Sequence, residues 1–132
     1  MNIQYIAGYK YQLHKTYDHP LEGHWQDVDS HEFIAIQNNT LYISKGYAWD
    51  GASGAVDSPD IMRASLVHDA MYQLMREGLL DEKYKGYADK LLRDICIEDG
   101  MSIIRANYIY EAVHLFGAQY AKRKDPEVIT AP

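Results

Sequence analysis

Residues 58–78 read SPDIMRASLVHDAMYQLMREG, and this stretch sets the pattern for the rest of the chain. Ser58 followed by Pro59 is a helix start, because a serine hydroxyl can accept from the first free amides and proline has no amide to waste there. Ile61, Ala64, His68, Met71, Tyr72 and Met75 then recur at spacings of three and four, forming one stripe of an amphipathic helix. Gly78 ends it. The spacing predicts a helix over residues 59–77.

On the C-terminal side the same period continues. Asp81 or Glu82 opens a second helix reaching about residue 98, with a break near Gly86 and a stop at Asp99-Gly100. Ser102 caps a third that runs to about residue 122 and carries Ile103, Ala106, Tyr110, Val113 and Gly117 on one side. The N-terminal side has a different period. Residues 5–14 mix aromatic and polar side chains in near alternation, which suits a half-buried strand. Residues 15–31 hold Pro20, Gly23 and many polar groups and read as a loop. Residues 33–37 and 40–44 flank Asn38-Asn39, two residues that tolerate positive φ, so they predict a hairpin. Gly46-Tyr47-Ala48-Trp49-Asp50-Gly51-Ala52-Ser53-Gly54 follows as a glycine-rich turn. The expected fold is α+β, an N-terminal antiparallel sheet of three or four strands followed by three packed α-helices. Residues 1–124 are expected as one domain and residues 125–132, with two prolines, as a flexible tail.

Composition narrows the function. A chain of 132 residues with 47% apolar and 24% charged residues can bury one substantial core. The net charge of −6 argues against a broad nucleic-acid surface, and the one cationic run, Lys122-Arg123-Lys124, reads as a solvated helix end. Cys96 is the only cysteine, which excludes an intramolecular disulfide, and its neighbours Leu91, Leu92, Ile95 and Ile97 make it a small core residue. No apolar run nears the roughly 20 residues of a membrane span, so neither a transmembrane segment nor a signal peptide is expected. Twelve tyrosines against two phenylalanines favour half-buried surfaces that keep a polar tip.

The chemistry concentrates at His68-Asp69 and Asp89. From His68 to Asp89 is 89 − 68 = 21 residues, enough for the rest of one helix, a turn and the start of another. Antiparallel packing then sets the Asp89 carboxylate against the His68 ring, and a carboxylate on one ring nitrogen fixes the tautomer and raises the basicity of the other. Such a pair can draw a proton from water. Tyr72, one turn beyond His68, adds an anchoring phenol. Asp69 points elsewhere, toward the glycine-rich turn. Calcium takes carboxylate and carbonyl oxygens, so Asp69, Asp50 and the carbonyls of Trp49 and Gly51 form a candidate set of ligands. A histidine on an apolar stripe is also compatible with a purely structural role, a satisfied polar brace inside the core. A metal-dependent phosphohydrolase site drawing on His14, His19, His24 or His31 is disfavoured, because its first histidine belongs on a helix and these lie in strand or loop. His114, three residues after Glu111, reads as structural, and Arg63 and Arg105 as helix-surface residues.

The glycine-rich turn, His68-Asp69-x-x-Tyr72 and then Ala88-Asp89 over residues 46–92 resemble the phospholipase A-two superfamily, especially its disulfide-free viral-capsid and microbial branches. That resemblance implies His68 as base, Asp89 as its orienting partner, Asp69 as calcium ligand with turn carbonyls, and Tyr72 as hydrogen-bonding support. A second resemblance covers residues 40–118. Trp49-Asp50-Gly51-Ala52-Ser53, His68-Asp69-x-x-Tyr72, Ala88-Asp89 and Tyr110-Glu111-Ala112-Val113-His114-Leu115-Phe116-Gly117 are similar to a family of small proteins of tailed bacteriophages and prophages with no established activity. Where that family runs D-G-A-S-I-P, this chain has Gly54-Ala55 in the last two places and lacks the rigid proline. Together the resemblances imply a phage-encoded, calcium-dependent ester hydrolase acting on phospholipid or another ester, in the host cytoplasm or the virion. The alternative is a non-catalytic phage accessory or virion protein that meets other phage or host proteins.

Overall fold

The structure is a computed structural model and describes residues 3–6, 11–51 and 58–117. Among the described residues six short strands precede three helices: β1 (Tyr5–Ile6), β2 (Tyr11–Leu13), β3 (Tyr17–Pro20), β4 (Ile34–Gln37), β5 (Thr40–Ile43), β6 (Ala48–Trp49), α1 (Pro59–Arg76), α2 (Lys85–Glu98) and α3 (Ile103–Phe116). A 3-10 turn, Glu82–Tyr84, leads into α2. The fold is α+β, as the periodicities predict.

The strands form two three-stranded antiparallel sheets, β1-β2-β6 and β3-β5-β4. Asn38 and Asn39 both take positive φ, 50° and 57°, and turn β4 directly into β5, with Gln37 facing Thr40. This is the hairpin that the paired asparagines predict. Gly46 explains why there are two sheets. At φ 97° it turns the chain so that its amide donates to the Leu13 carbonyl while Leu13 N donates to Tyr47, delivering β6 to β2 instead of back to β3. The expected loop over residues 15–31 holds a strand after all. β3 alternates buried Tyr17 and His19 with exposed Asp18 and Pro20, and lies at a sheet edge, where a proline costs no ladder hydrogen bond.

Helix α1 is the hub. Its predicted stripe is buried or half-buried, and so are Met62, Leu66, Val67, Ala70 and Leu74 around the rest of its circumference. A helix with apolar residues over most of its circumference must be enclosed by neighbours, and here the sheets and α2 enclose it. Ser58 sits at the N-cap position in extended conformation, but its hydroxyl donates to the Asp60 carboxylate and caps no amide. Ser102 does cap α3, accepting from Arg105 N at 3.2 Å. On α3 the buried row is Ala106 and Ile109 with Val113 packed beside them; Ile103 points outward.

Enclosing α1 also buries Arg63, which the sequence places on a helix surface. It is 2% exposed and is met by Asp99 and Glu98 from the end of α2 and by the Tyr17 hydroxyl from β3. A buried guanidinium persists only with such partners. Cys96 is buried, and burial pushes its thiol up to about 12, the state of an inert core residue. The Lys122-Arg123-Lys124 run and the expected tail, residues 125–132, lie outside the described residues. Among the described residues, no helix is long and apolar enough to cross a membrane.

Candidate functional site

His68 and Tyr72 stand one turn apart on α1, so their rings stack with centroids 4.1 Å apart on the side facing α2. Across the helix interface comes Asp89, 0% exposed. Its Oδ1 accepts from the Tyr72 hydroxyl at 2.6 Å and faces His68 Nε2 at 2.8 Å. Its Oδ2 accepts from Lys85 Nζ at 2.7 Å. Burial alone would raise the pKa of this carboxyl. The hydrogen bonds from His68, Lys85 and Tyr72 outweigh burial and hold it at about 2. Asp89 is therefore a carboxylate at neutral pH and only accepts. It follows that His68 Nε2 carries the ring proton, and that Nδ1 of the neutral ring bears the lone pair. Among the described residues Nδ1 has no hydrogen-bond partner, and the His68 side chain is 14% exposed. Burial and the adjoining Asp89 charge push the Tyr72 phenol well above its ordinary range, so it remains a donor.

Two further contributors come from outside the predicted set. Lys85 lies one turn before Asp89 on α2, a spacing at which opposite charges meet, so the pairing was legible in principle. It also donates to the His114 carbonyl at 3.1 Å, tying the last turn of α3 to the site. His114 Nδ1 lies 3.6 Å from Asp89 Oδ2, a contact that depends on helix packing and leaves no mark in the sequence. Gly117 closes the same corner, where a Cβ would come within 2.6 Å of the Tyr72 hydroxyl.

Asp69 faces away from this cluster, as its position predicts. The Tyr47 hydroxyl donates to its carboxylate and also lies 2.9 Å from Gln73, whose amide in turn approaches His31. Burial raises the Asp69 pKa; the Tyr47 hydrogen bond and the Arg76 charge only partly counter it, and the charge of Asp50 adds to the rise. Burial likewise pushes the Tyr47 phenol far up, so it stays a donor.

The remaining candidate calcium ligands lie at and after the end of β6. Trp49 pairs with Tyr11 in the ladder and keeps its side chain in the core, its indole N–H donating to Ser65 at 3.0 Å, so its side chain offers no ligand. Asp50 is exposed, and Gly51 takes φ 82°. Residues 52–54 of the turn lie outside the described residues. Among the described residues no three His, Cys, Asp or Glu side chains gather as a metal cluster. The donor type is one a hard cation takes: a half-buried carboxylate, Asp69, close enough to the Asp50 charge for its pKa to be raised by it.

The other histidines have different tasks. His19 Nδ1 is bonded to the Tyr17 hydroxyl at 2.8 Å, and His31 Nδ1 accepts from the amides of Phe33 and Ile34 while Nε2 meets Glu77 at 3.0 Å. Neither joins His68. Compared with protein-family models, curated proteins and solved structures, the chain matches none of them.

Proposed function

We propose that this chain is an ester hydrolase of the phospholipase A-two type, phage-encoded, in which His68 is the base, Asp89 orients it and Tyr72 supports Asp89. The observation that carries the reading is the His68–Asp89 pairing. One ring nitrogen is committed to a buried carboxylate at 2.8 Å, and the other is left as an unoccupied acceptor on a partly exposed ring. A water bonded to Nδ1 would give up a proton to it as the water oxygen attacks the acyl carbon. Asp89 then stabilises the imidazolium, and the same proton passes to the departing alkoxide, leaving an acid and an alcohol. Asp69, with Asp50 and the carbonyls of Trp49 and Gly51, would hold a calcium ion. Its charge, when bound, would stabilise the carbonyl oxygen as that oxygen becomes negative. Phospholipid or another ester is the substrate class, and the host cytoplasm or the virion the place of action.

The test is hydrolysis of a fluorogenic phospholipid in mixed vesicles and of a simple aryl ester, with calcium and with a chelator. Turnover that requires calcium and is lost in both His68→Asn and Asp69→Asn supports the reading. Absence of turnover by folded protein on every ester class tried would sink it.

A second reading has its own observation. Every polar atom of Asp89 is satisfied, and no described buried side-chain nitrogen or oxygen lacks a partner. A network so complete also suits a brace that fixes one helix packing in a non-catalytic phage accessory or virion protein. On that reading calcium has no effect, and His68→Asn and Asp89→Asn lose stability alone.

A further inference from the structure

We propose that the outer face of α3 is a self-association surface on which a second copy of this chain packs antiparallel. The helix buries Ala106 and Ile109 toward α2. On its opposite side Ile104, Tyr108 and Leu115 are 86%, 75% and 68% exposed, with exposed Glu111 between them. At about 100° per residue, spacings of four, three and four put these four side chains in one stripe, roughly opposite the buried row. A helix that is apolar on two opposite sides is built to be covered on both.

The order of groups along the stripe selects the occupant. From N to C it runs apolar Ile104, donor Tyr108, acceptor Glu111, apolar Leu115. Turned end for end, it is its own complement. A two-fold axis passing between Tyr108 and Glu111 sets Ile104 against Leu115 of the second copy and the Tyr108 hydroxyl against Glu111 of the second copy, each contact occurring twice. That is the condition for an isologous interface. The one charge in the stripe thereby gains a hydrogen-bond donor. The net charge of −6 and the acidic centre of the stripe disfavour an anionic lipid surface as the alternative.

Sedimentation velocity with light scattering, run on the full chain from low micromolar to submillimolar concentration, tests this directly. Wild type is expected to pass from monomer to dimer across that range. Ile104→Lys and Leu115→Lys should weaken association by roughly tenfold or more with an unchanged melting temperature, since both positions face solvent in the monomer. Tyr108→Phe and Glu111→Gln should each weaken it several-fold, and the double variant no further, as one shared hydrogen bond requires. A wild type that stays monomeric throughout, or a dimer indifferent to Ile104→Lys, overturns the proposal. So does monomeric binding to neutral phosphatidylcholine vesicles that Ile104→Lys abolishes, because that result gives the face to lipid.

Discussion

Lys85 Nζ lies 2.7 Å from Asp89 Oδ2, one helical turn away, and the carboxylate it meets is wholly buried. Three donors from two helices converge on that one group, so removing any of them leaves a buried acceptor short. Lys85→Met should cost about 2–3 kcal/mol in urea unfolding at neutral pH, the range for stranding a buried charged acceptor. The pH dependence follows from Asp89 at about 2, below its unfolded value near 3.8. Its contribution is complete above the unfolded pKa and is lost as pH falls from about 4 through about 2. In Lys85→Met the acid transition should begin at higher pH, and a transition unmoved from wild type would deny Lys85 this role.

His19 gives a second pH dependence of the opposite kind. Burial, and then the nearby Arg63 charge, lower its pKa below the ordinary 6.5. The folded protein holds the ring neutral while the unfolded chain protonates it, so stability falls as pH drops below the unfolded value. Each proton so linked contributes a slope of about 1.4 kcal/mol per pH unit at most. The difference in stability between wild type and His19→Gln, measured from pH 7 to pH 5, should shrink toward low pH. A constant difference would show that His19 does not titrate with unfolding.

How much of this the sequence disclosed depends on how local each cause is. The Asn38-Asn39 turn, the ends of α1 at Pro59 and Gly78, and the Ser102 cap are backbone preferences of single residues, and all were legible. The His68–Asp89 pairing was legible too, because two amphipathic helices joined by a short turn have few ways to pack. β3 was hidden by Pro20, whose local preference argues against a strand until an edge position excuses it. Arg63 was hidden by tertiary enclosure. It heads the apolar row Val67, Ala70 and Leu74, yet an arginine reads as a surface residue, and only the arrival of Asp99 and Tyr17 makes its burial tolerable. Lys85 stands four residues before Asp89, the helical spacing at which opposite charges meet, so that pairing is local and readable from the sequence.

Asp69 is placed where a charge costs stability. Its raised pKa means the folded state binds that proton more tightly than the unfolded chain does. The stabilising share is present below the unfolded value near 3.8 and is lost as pH rises through the folded value. At pH 7 without calcium, Asp69→Asn should therefore melt higher than wild type, because the amide keeps an acceptor for Tyr47 without the half-buried charge. Calcium should reverse the order, stabilising wild type and leaving Asp69→Asn unchanged. Differential scanning fluorimetry with calcium and with chelator reads both effects. A wild type indifferent to calcium removes the metal from the proposed mechanism.

Gly117 is small because Tyr72 is fixed. The phenol is held by its 2.6 Å hydrogen bond to Asp89 and by the His68 ring beneath it, so it cannot retreat from a methyl group placed at 117. A Cβ there would run into the Val113 carbonyl and come within 2.6 Å of the hydroxyl. Gly117→Ala should cost about 1–3 kcal/mol, as overpacking against a pinned group does. In a Tyr72→Phe background the hydroxyl is gone and only the carbonyl contact remains, so the same substitution should cost measurably less. That non-additivity, read from a four-variant set of urea unfolding curves, distinguishes a clash with the site from a simple effect on the end of α3. Equal costs in both backgrounds would place the strain in the helix end alone.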